Sequence, residues 1–324
     1  MRVLVTGGAG YIGSHMALGL LREGHHVAVI DDLSAGRREA VPAGAVFVEA
    51  DVADGVRVGE VLRRERIEAV LHFAGRIQVG ESVGDPRRYY AGNVVASAAL
   101  VDTVLDAGVT RFIFSSTAAV YGEPIRVPID EDHPTSPVNP YGDTKLAVER
   151  MLAAYGRAYG LRWAALRYFN AAGADVEAGL DERHEPETHL VPIVVDVALG
   201  RREAVTVFGD DYDTPDGTCV RDYIHVLDLC DAHRIALDHL TAGGAGGAFN
   251  LGTGEGHSVS EVVDVVRRVS GREVRVLQGP RRAGDPPRLV ASPERAARVL
   301  GWRARRVRLE DIVRDVWQVR SARS

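Results

Sequence analysis

The chain of 324 residues holds a single lysine, Lys145, among 39 basic residues; the other 38 are arginine. Where nearly every surface cation is written as arginine, a position that stays lysine asks for a compact ammonium that guanidinium cannot replace. Cysteine is almost as scarce. Cys219 and Cys230 are the only two, which excludes a disulfide framework and predicts a reducing, cytoplasmic setting. No apolar run approaches a membrane span, and the one ending at Thr6 is too short for a signal peptide. Net charge is only −6, with both signs interspersed, so there is no basic nucleic-acid surface and no polybasic membrane patch. Internal repeats and low-complexity tails are absent. What remains is an ordinary globular composition, 46% apolar and 26% charged, in a chain long enough for two domains.

The first half alternates short apolar runs with helical patterns. Strands are expected at 2–6, 26–31, 45–50, 68–75, 111–116 and 162–169. Helices are expected from Tyr11 to Gly24, at 56–66, at 89–108 and from Tyr141 onward. Such alternation implies an α/β fold, a Rossmann-type doubly wound parallel sheet covered on both faces. The pattern weakens after about residue 174. The reading is therefore a dinucleotide-binding domain over 1–174, to which 220–251 return as a helix and strand of the large sheet. A smaller, irregular α/β domain takes 175–219 and 252–324.

The segment TGGAGYIG places Gly7, Gly10 and Gly13 directly after the first strand. Glycine permits the tight turn and the close backbone approach that a pyrophosphate needs at a helix N-terminus. Asp31, at the end of the second strand, has the spacing of a group that binds an adenosine ribose, and its charge favours NAD over NADP. Asp51 ends the third strand and could reach the adenine. The fourth and fifth strands end in Phe73-Ala74-Gly75 and Phe114-Ser115-Ser116, and ligands of open α/β sheets bind outside such ends. Thr117 follows, and Tyr141 and Lys145 open the next helix four residues apart, on one face. With 10 tyrosines, the chance that one lies four before the only lysine is roughly 3%. A hydroxyl, a phenol and an ammonium around a nicotinamide can move a proton and a hydride together. The Lys145 charge is expected to pull the Tyr141 phenol below its ordinary value, making it a base at neutral pH.

Taken in order, TGGAGYIG, HFAG, FSSTAAVYGE, NPYGDTK, LRYFNAAG, GTCVRDYIHVLDL, NLGTGEG and RRAGDPP resemble the extended short-chain dehydrogenase/reductase family. Within it they are most similar to the epimerases of UDP-glucose and UDP-galactose. The resemblance covers essentially the whole chain. It implies inversion at the sugar C4 through a transient 4-keto sugar, with hydride passing to and from tightly bound NAD. It implies Thr117, Tyr141 and Lys145 as catalytic residues. The NAD site would comprise Gly7, Gly10, Tyr11, Ile12, Gly13, Asp31, Asp32, Leu33, Ser34, Gly36, Asp51, Val52, Phe73, Ala74, Gly75, Asn93, Ser115, Tyr141, Lys145 and Phe169. The UDP-sugar would meet Thr117, Tyr141, Asn170, His189, Leu190, Thr206, Val207, Phe208, Arg221, Arg282, Asp285 and Leu289. A diphosphate bound by a net-acidic chain needs local arginines, which suits Arg221 and Arg282. The family also implies a homodimer, with 89–108 and 141–157 as its helical interface.

Three departures stand out. Thr117 replaces the serine of many relatives, Ile77 stands where many have a lysine near the cofactor, and His189 stands where asparagine is expected beside the phosphates. Leu289, four residues after Asp285, lies where relatives carry a tyrosine with unsubstituted sugars or a small residue with N-acetylated ones; an intermediate pocket is expected, unless Leu289 only packs. The G-x-S-x-G match at Gly80–Gly84 is better explained by a helix-capping Ser82. The histidines of HEPETH (184–189) are five apart with Pro186 between them, so one helical face cannot present both, and no metal is expected. A sugar-nucleotide 4,6-dehydratase is disfavoured by Ala118 and Ala119, which follow Thr117 where that chemistry places carboxyl groups. A UDP-N-acetylglucosamine or pentose 4-epimerase is a further alternative. A non-catalytic NAD-sensing regulator could dispense with Tyr141 and Lys145, and both are kept.

Overall fold

A computed structural model describes residues 1–282 and 285–323. Ala283 and Gly284 of the RRAGD segment lie outside the described residues. The strands are β1 (Arg2–Thr6), β2 (His26–Asp31), β3 (Val46–Glu49), β4 (Ala69–His72), β5 (Arg111–Thr117), β6 (Arg162–Tyr168), β7 (Asn170–Ala172), β8 (Val205–Phe208), β9 (Val220–Arg221), β10 (Tyr223–His225), β11 (Gly247–Leu251), β12 (His257–Ser258), β13 (Val276–Gly279) and β14 (Arg288–Leu289). Seven of them form one sheet in the order β11-β6-β5-β4-β1-β2-β3. The pairs from β3 through β2, β1 and β4 to β5 are parallel. The order reverses at β1 and β4, the switch point of a Rossmann-type doubly wound sheet.

The chain forms two compact units. The first comprises Met1–Gly122, Pro134–Arg167 and Cys230–Phe249. Its core packs Leu4, Ile30, Val70, Phe112 and Phe114 of the sheet with Val58, Leu62, Leu100, Val104, Val148 and Leu152 of the helices. Removing such side chains from water supplies the main driving force. The second unit comprises Glu123–His133, Tyr168–Leu229 and Asn250–Ser324. Three helices, Leu190–Ala198, Val259–Ser270 and Leu309–Ser321, bury a valine-rich core that includes Val194, Val195, Val262, Val266, Ile312 and Val316. Residues 123–133, 168–174, 220–229 and 250–251, expected in the first domain, thus fall in the second unit. Within it β10 pairs with β7 instead of entering the large sheet; β11 alone of the 220–251 strands joins that sheet.

The helix expected at 89–108 is interrupted. A single α-turn, Pro86–Tyr89, leads into a π-helical turn, Tyr90–Val95, and then an α-helix, Ala96–Asp106. A π-turn widens the backbone and re-aims one side chain, commonly at a functional site; here it contains the buried Asn93. Ser82 is not a cap either. It lies inside the helix Val79–Gly84 and donates to Val79 O at 2.6 Å.

Candidate active site

The loop after β1 shows why its glycines are glycines. Gly7 has φ +69°, and a methyl group there would sit 2.5 Å from the Ala74 amide nitrogen. At Gly13 it would lie 2.1 Å from Gly7 O. The loop after β1 therefore lies directly against the end of β4. Gly10 caps the helix Tyr11–Arg22 with no side-chain bond and no acidic residue in the first turn. Its N-terminal amides and positive dipole end suit an anion. Asp31 is buried at the end of β2 and accepts from Ala9 N and Leu33 N, both at 2.9 Å. Burial raises its carboxyl above the ordinary value, partly offset by those two amides. Leu33 adopts φ +58°, while Asp32 holds Ser34 N at 2.9 Å. Gly36 packs on Ala9, leaving no room for a side chain. Asp51 is exposed and accepts from Ala53 N, and Val52 is buried.

The candidate reacting groups stand further along the sheet. Asn139 caps the helix Pro140–Tyr159 by accepting from Gly142 N at 2.9 Å, with Pro140 in the first turn. That cap starts the helix so that Tyr141 and Lys145 face inward. The Lys145 Nζ donates to Ser115 O at 3.0 Å and lies 4.9 Å from the Phe114 ring centre. Burial pulls its ammonium down to about 8, opposed by Glu149. Thr117 accepts from Ala119 N at 3.1 Å and bonds the Tyr141 phenol. Against expectation, burial raises the Tyr141 phenol above its ordinary value, and Thr117, not Lys145, pulls the other way. Lys145 Nζ is turned to the Ser115 carbonyl, and its charge is not among the influences on the phenol. Asn93 accepts from Arg76 N at 2.7 Å and donates to Arg76 O at 3.1 Å and Thr144 Oγ1 at 3.0 Å. It thereby ties the loop after β4 to the helix of Tyr141. Gly75, φ +154°, leaves open the space beside Asn93 Oδ1 and Lys145 Nζ, where a methyl group would lie 3.1 and 3.5 Å away.

Several supporting residues escaped the sequence reading. A Cβ on Gly142 would lie 2.5 Å from Ala119 O, so glycine lets the helix start close on the turn that follows Thr117. Glu149 and Arg167 form a buried ion pair, with Arg167 Nε 2.9 Å from Glu149 Oε1. Ser116 also donates to Glu149, and Arg167 reaches Tyr121 OH at 2.9 Å. Glu149 stands four residues after Lys145, and Arg167 interrupts a buried apolar strand. Both signals were in the sequence. His72, between Thr6 and Ser97, is held at about 3 by burial and by the Lys145 charge, so it is neutral.

The second unit carries the other expected residues. Phe169 and Asn170 follow β6, and Asn170 N donates to Asp222 O at 3.0 Å. Arg221 on β9 is buried and pairs with Asp285; its Nη1 also donates to Val220 O at 2.8 Å. Leu289 on β14 stands in register with Arg221 in a parallel pair, which puts both side chains on one face. The Arg282 guanidinium lies 4.0 Å over the Phe208 ring. Thr206 is exposed and Val207 buried on the same strand, β8. Asp222 is fully buried and organises the surrounding turns, accepting from Thr253 N, Gly254 N and Ala291 N at 2.9, 3.0 and 3.2 Å. Ahead of the helix that begins at Leu190, the 184–189 segment is not helical. Its histidines meet instead, with ring centres 5.3 Å apart. Glu182 Oε1 lies 2.7 Å from His189 Nδ1 and 3.0 Å from His184 Nδ1. Burial opposes charge on both partners, but their attraction prevails: His189 is pushed up to about 10 and Glu182 down to about 2.

Comparison with known proteins gives the family. The model of the NAD dependent epimerase/dehydratase family matches residues 3–252. This chain belongs to that family. A UDP-glucose 4-epimerase of Halalkalibacterium halodurans is 49% identical over 98% of this chain and 95% of its own. The crystal structure of UDP-glucose 4-epimerase from Brucella ovis in complex with NAD superposes with a TM-score of 0.95 at 49% identity, covering 98% of this chain and 97% of that one. The Stenotrophomonas maltophila UDP-glucose-4-epimerase, with bound NAD and formylated UDP-arabinopyranose, gives 0.95 at 42% identity over 100% and 98% of the two chains. NAD is the cofactor. The residues present fit it: the glycine cradle and the uncapped helix start suit a pyrophosphate, and the Asp31 carboxylate suits a ribose. No helix among the described residues is long and apolar enough to cross a membrane.

Proposed function

We infer that this chain interconverts UDP-glucose and UDP-galactose by inverting C4. The observation that carries the reading is the triad of Thr117, Tyr141 and Lys145 beside the glycine cradle, in a chain similar to UDP-glucose 4-epimerases over 98% of its length. Bound at the cradle, NAD supplies a hydride acceptor and donor for the sugar C4. Gly7, Gly10 and Gly13 admit the pyrophosphate, Asp31 the ribose hydroxyls. Tyr141 takes the proton of the 4-hydroxyl and later returns it, with Thr117 as its hydrogen-bond partner. Lys145 provides the positive charge that lets a phenol act as base once a ligand joins it. Arg221 and Arg282 hold the diphosphate while the flat keto sugar turns and presents its other face.

The test is direct. UDP-galactose is incubated with purified protein and product followed by proton NMR, alongside Tyr141→Phe. Formation of UDP-glucose without added NAD, abolished in the variant, supports the reading; no turnover of either sugar overturns it. We further propose a homodimer formed through the helices at 86–106 and 140–159, which leave Tyr90, Val95 and Tyr159 exposed at 41, 63 and 64%. Light scattering at assay concentration checks it. A cytoplasmic role in galactose metabolism follows from the substrates.

A further inference from the structure

Four side chains of one short loop converge, among them the His189 expected at the UDP-sugar: Glu182, His184, Glu187 and His189. Each offers one ligand atom, and these atoms all lie within 4.8 Å of one another. We propose that they form a structural site for a divalent transition-metal ion, of which Zn²⁺ is the best match.

Ion pairing alone leaves this cluster poorly satisfied. Two imidazole nitrogens, His184 Nδ1 and His189 Nδ1, point at the same oxygen, Glu182 Oε1, at 3.0 and 2.7 Å. Glu182 is only 3% exposed, yet its second oxygen, Oε2, has no hydrogen-bond partner. Glu187 Oε2 is likewise buried without a hydrogen bond, with only an Arg320 ion-pair contact at 3.5 Å, and His184 Nδ1 has only its Glu182 contact. Buried polar atoms are rarely left so, and several together mark a missing partner. One cation between the two imidazoles and the carboxylates gives the orphaned atoms a use. Nitrogen and carboxylate oxygen in equal number suit Zn²⁺, with Fe²⁺ and Mn²⁺ as weaker competitors.

The surroundings have the build of a ligand-orienting layer. Arg320 is buried and reaches Asp181 at 3.1 Å, Asp196 at 2.7 Å and Glu187 at 3.5 Å. Thr188 N and His189 N both donate to Glu187 Oε1, at 2.9 and 3.0 Å. Such outer partners fix the direction of metal-binding side chains. The spacing Glu-x-His-x-x-Glu-x-His gathers all four ligands within eight residues, so little loop entropy is lost in closing the site. The site staples the loop to the start of the helix Leu190–Ala198. The helix-based argument against zinc does not apply to this segment, which folds as an irregular loop.

The experiment uses NAD-loaded full-length protein, stripped with a chelator and titrated with Zn²⁺ by calorimetry. One equivalent should bind, raising the melting temperature, and Co²⁺ in its place should give the visible absorption of a four-coordinate ion. Glu182→Gln and His184→Ala should each weaken Zn²⁺ binding by at least about 100-fold. His257→Ala, whose ring lies outside the cluster, should bind as wild type does. Wild type that takes up less than half an equivalent, or that binds no more tightly than His184→Ala, leaves an ion-pair cluster only and overturns the site. Because wild-type stoichiometry decides alone, a variant that fails to fold does not rescue the proposal.

Discussion

Gly142→Ala tests how the proposed catalytic residues are positioned. In a helix interior, alanine is favoured over glycine by about 0.8–1 kcal/mol, so local propensity predicts a gain. The tertiary structure predicts a loss. The added Cβ would lie 2.5 Å from Ala119 O, 2.9 Å from Ala119 C and 3.0 Å from Pro137 Cβ. Relaxing these contacts to ordinary separation moves the helix start off the turn by roughly 0.5–1 Å. Overpacking of this kind costs about 1–3 kcal/mol. Set against the propensity gain, the net destabilisation is roughly 0–2 kcal/mol. The effect on turnover is larger, because Tyr141 adjoins Gly142 and a misplacement near 1 Å can cost on the order of 100-fold. A protein that keeps its NAD and melts only a few degrees lower should therefore lose at least about tenfold in kcat for UDP-galactose. The assay is initial rate, with NAD content and a thermal melt measured on the same preparation. Turnover within about twofold of wild type would refute the claim that this close approach positions Tyr141.

Three other outcomes follow from the geometry. Lys145→Met should stabilise NAD-free protein at pH 7 by roughly 3 kcal/mol, the equivalent of lowering its ammonium from 10.5 to about 8. The buried charge penalises the folded state fully below pH 8 and fades toward pH 10.5, so the gain should shrink over that window in urea titrations; a pH-independent difference rejects burial as its source. Asp31→Ala should relax the preference for NAD over NADP and also weaken NAD binding by roughly 1–3 kcal/mol, since Ala9 N and Leu33 N lose their acceptor; an unchanged affinity ratio places the ribose elsewhere. Leu289→Gly should raise kcat/KM for UDP-N-acetylglucosamine relative to UDP-glucose by at least about fivefold, because Leu289 stands in register with Arg221; no change makes Leu289 a packing residue.

The parts of this protein legible in its sequence obey local rules. Gly7 and Gly13 sit where a turn admits no Cβ, the apolar runs have the period of buried strands, and Asn139-Pro140 starts a helix with Tyr141 and Lys145 on one face. The lone lysine singles out a candidate site because the composition around it is so biased. Only the tertiary structure decided the rest, since it depends on residues far apart in the chain. The approach of Gly142 to Ala119 and the Arg167–Glu149 pair behind Lys145 need packed elements to exist. The π-turn at Asn93 breaks a sequence that reads as one unbroken helix. Burial raises the Tyr141 phenol where charge counting predicted a fall, because desolvation is a property of the whole surroundings and not of a neighbour four residues away. The loop at 182–189 shows the same limit. Its two histidines cannot share a helical face, and an irregular backbone closing on Glu182 brings them together without one.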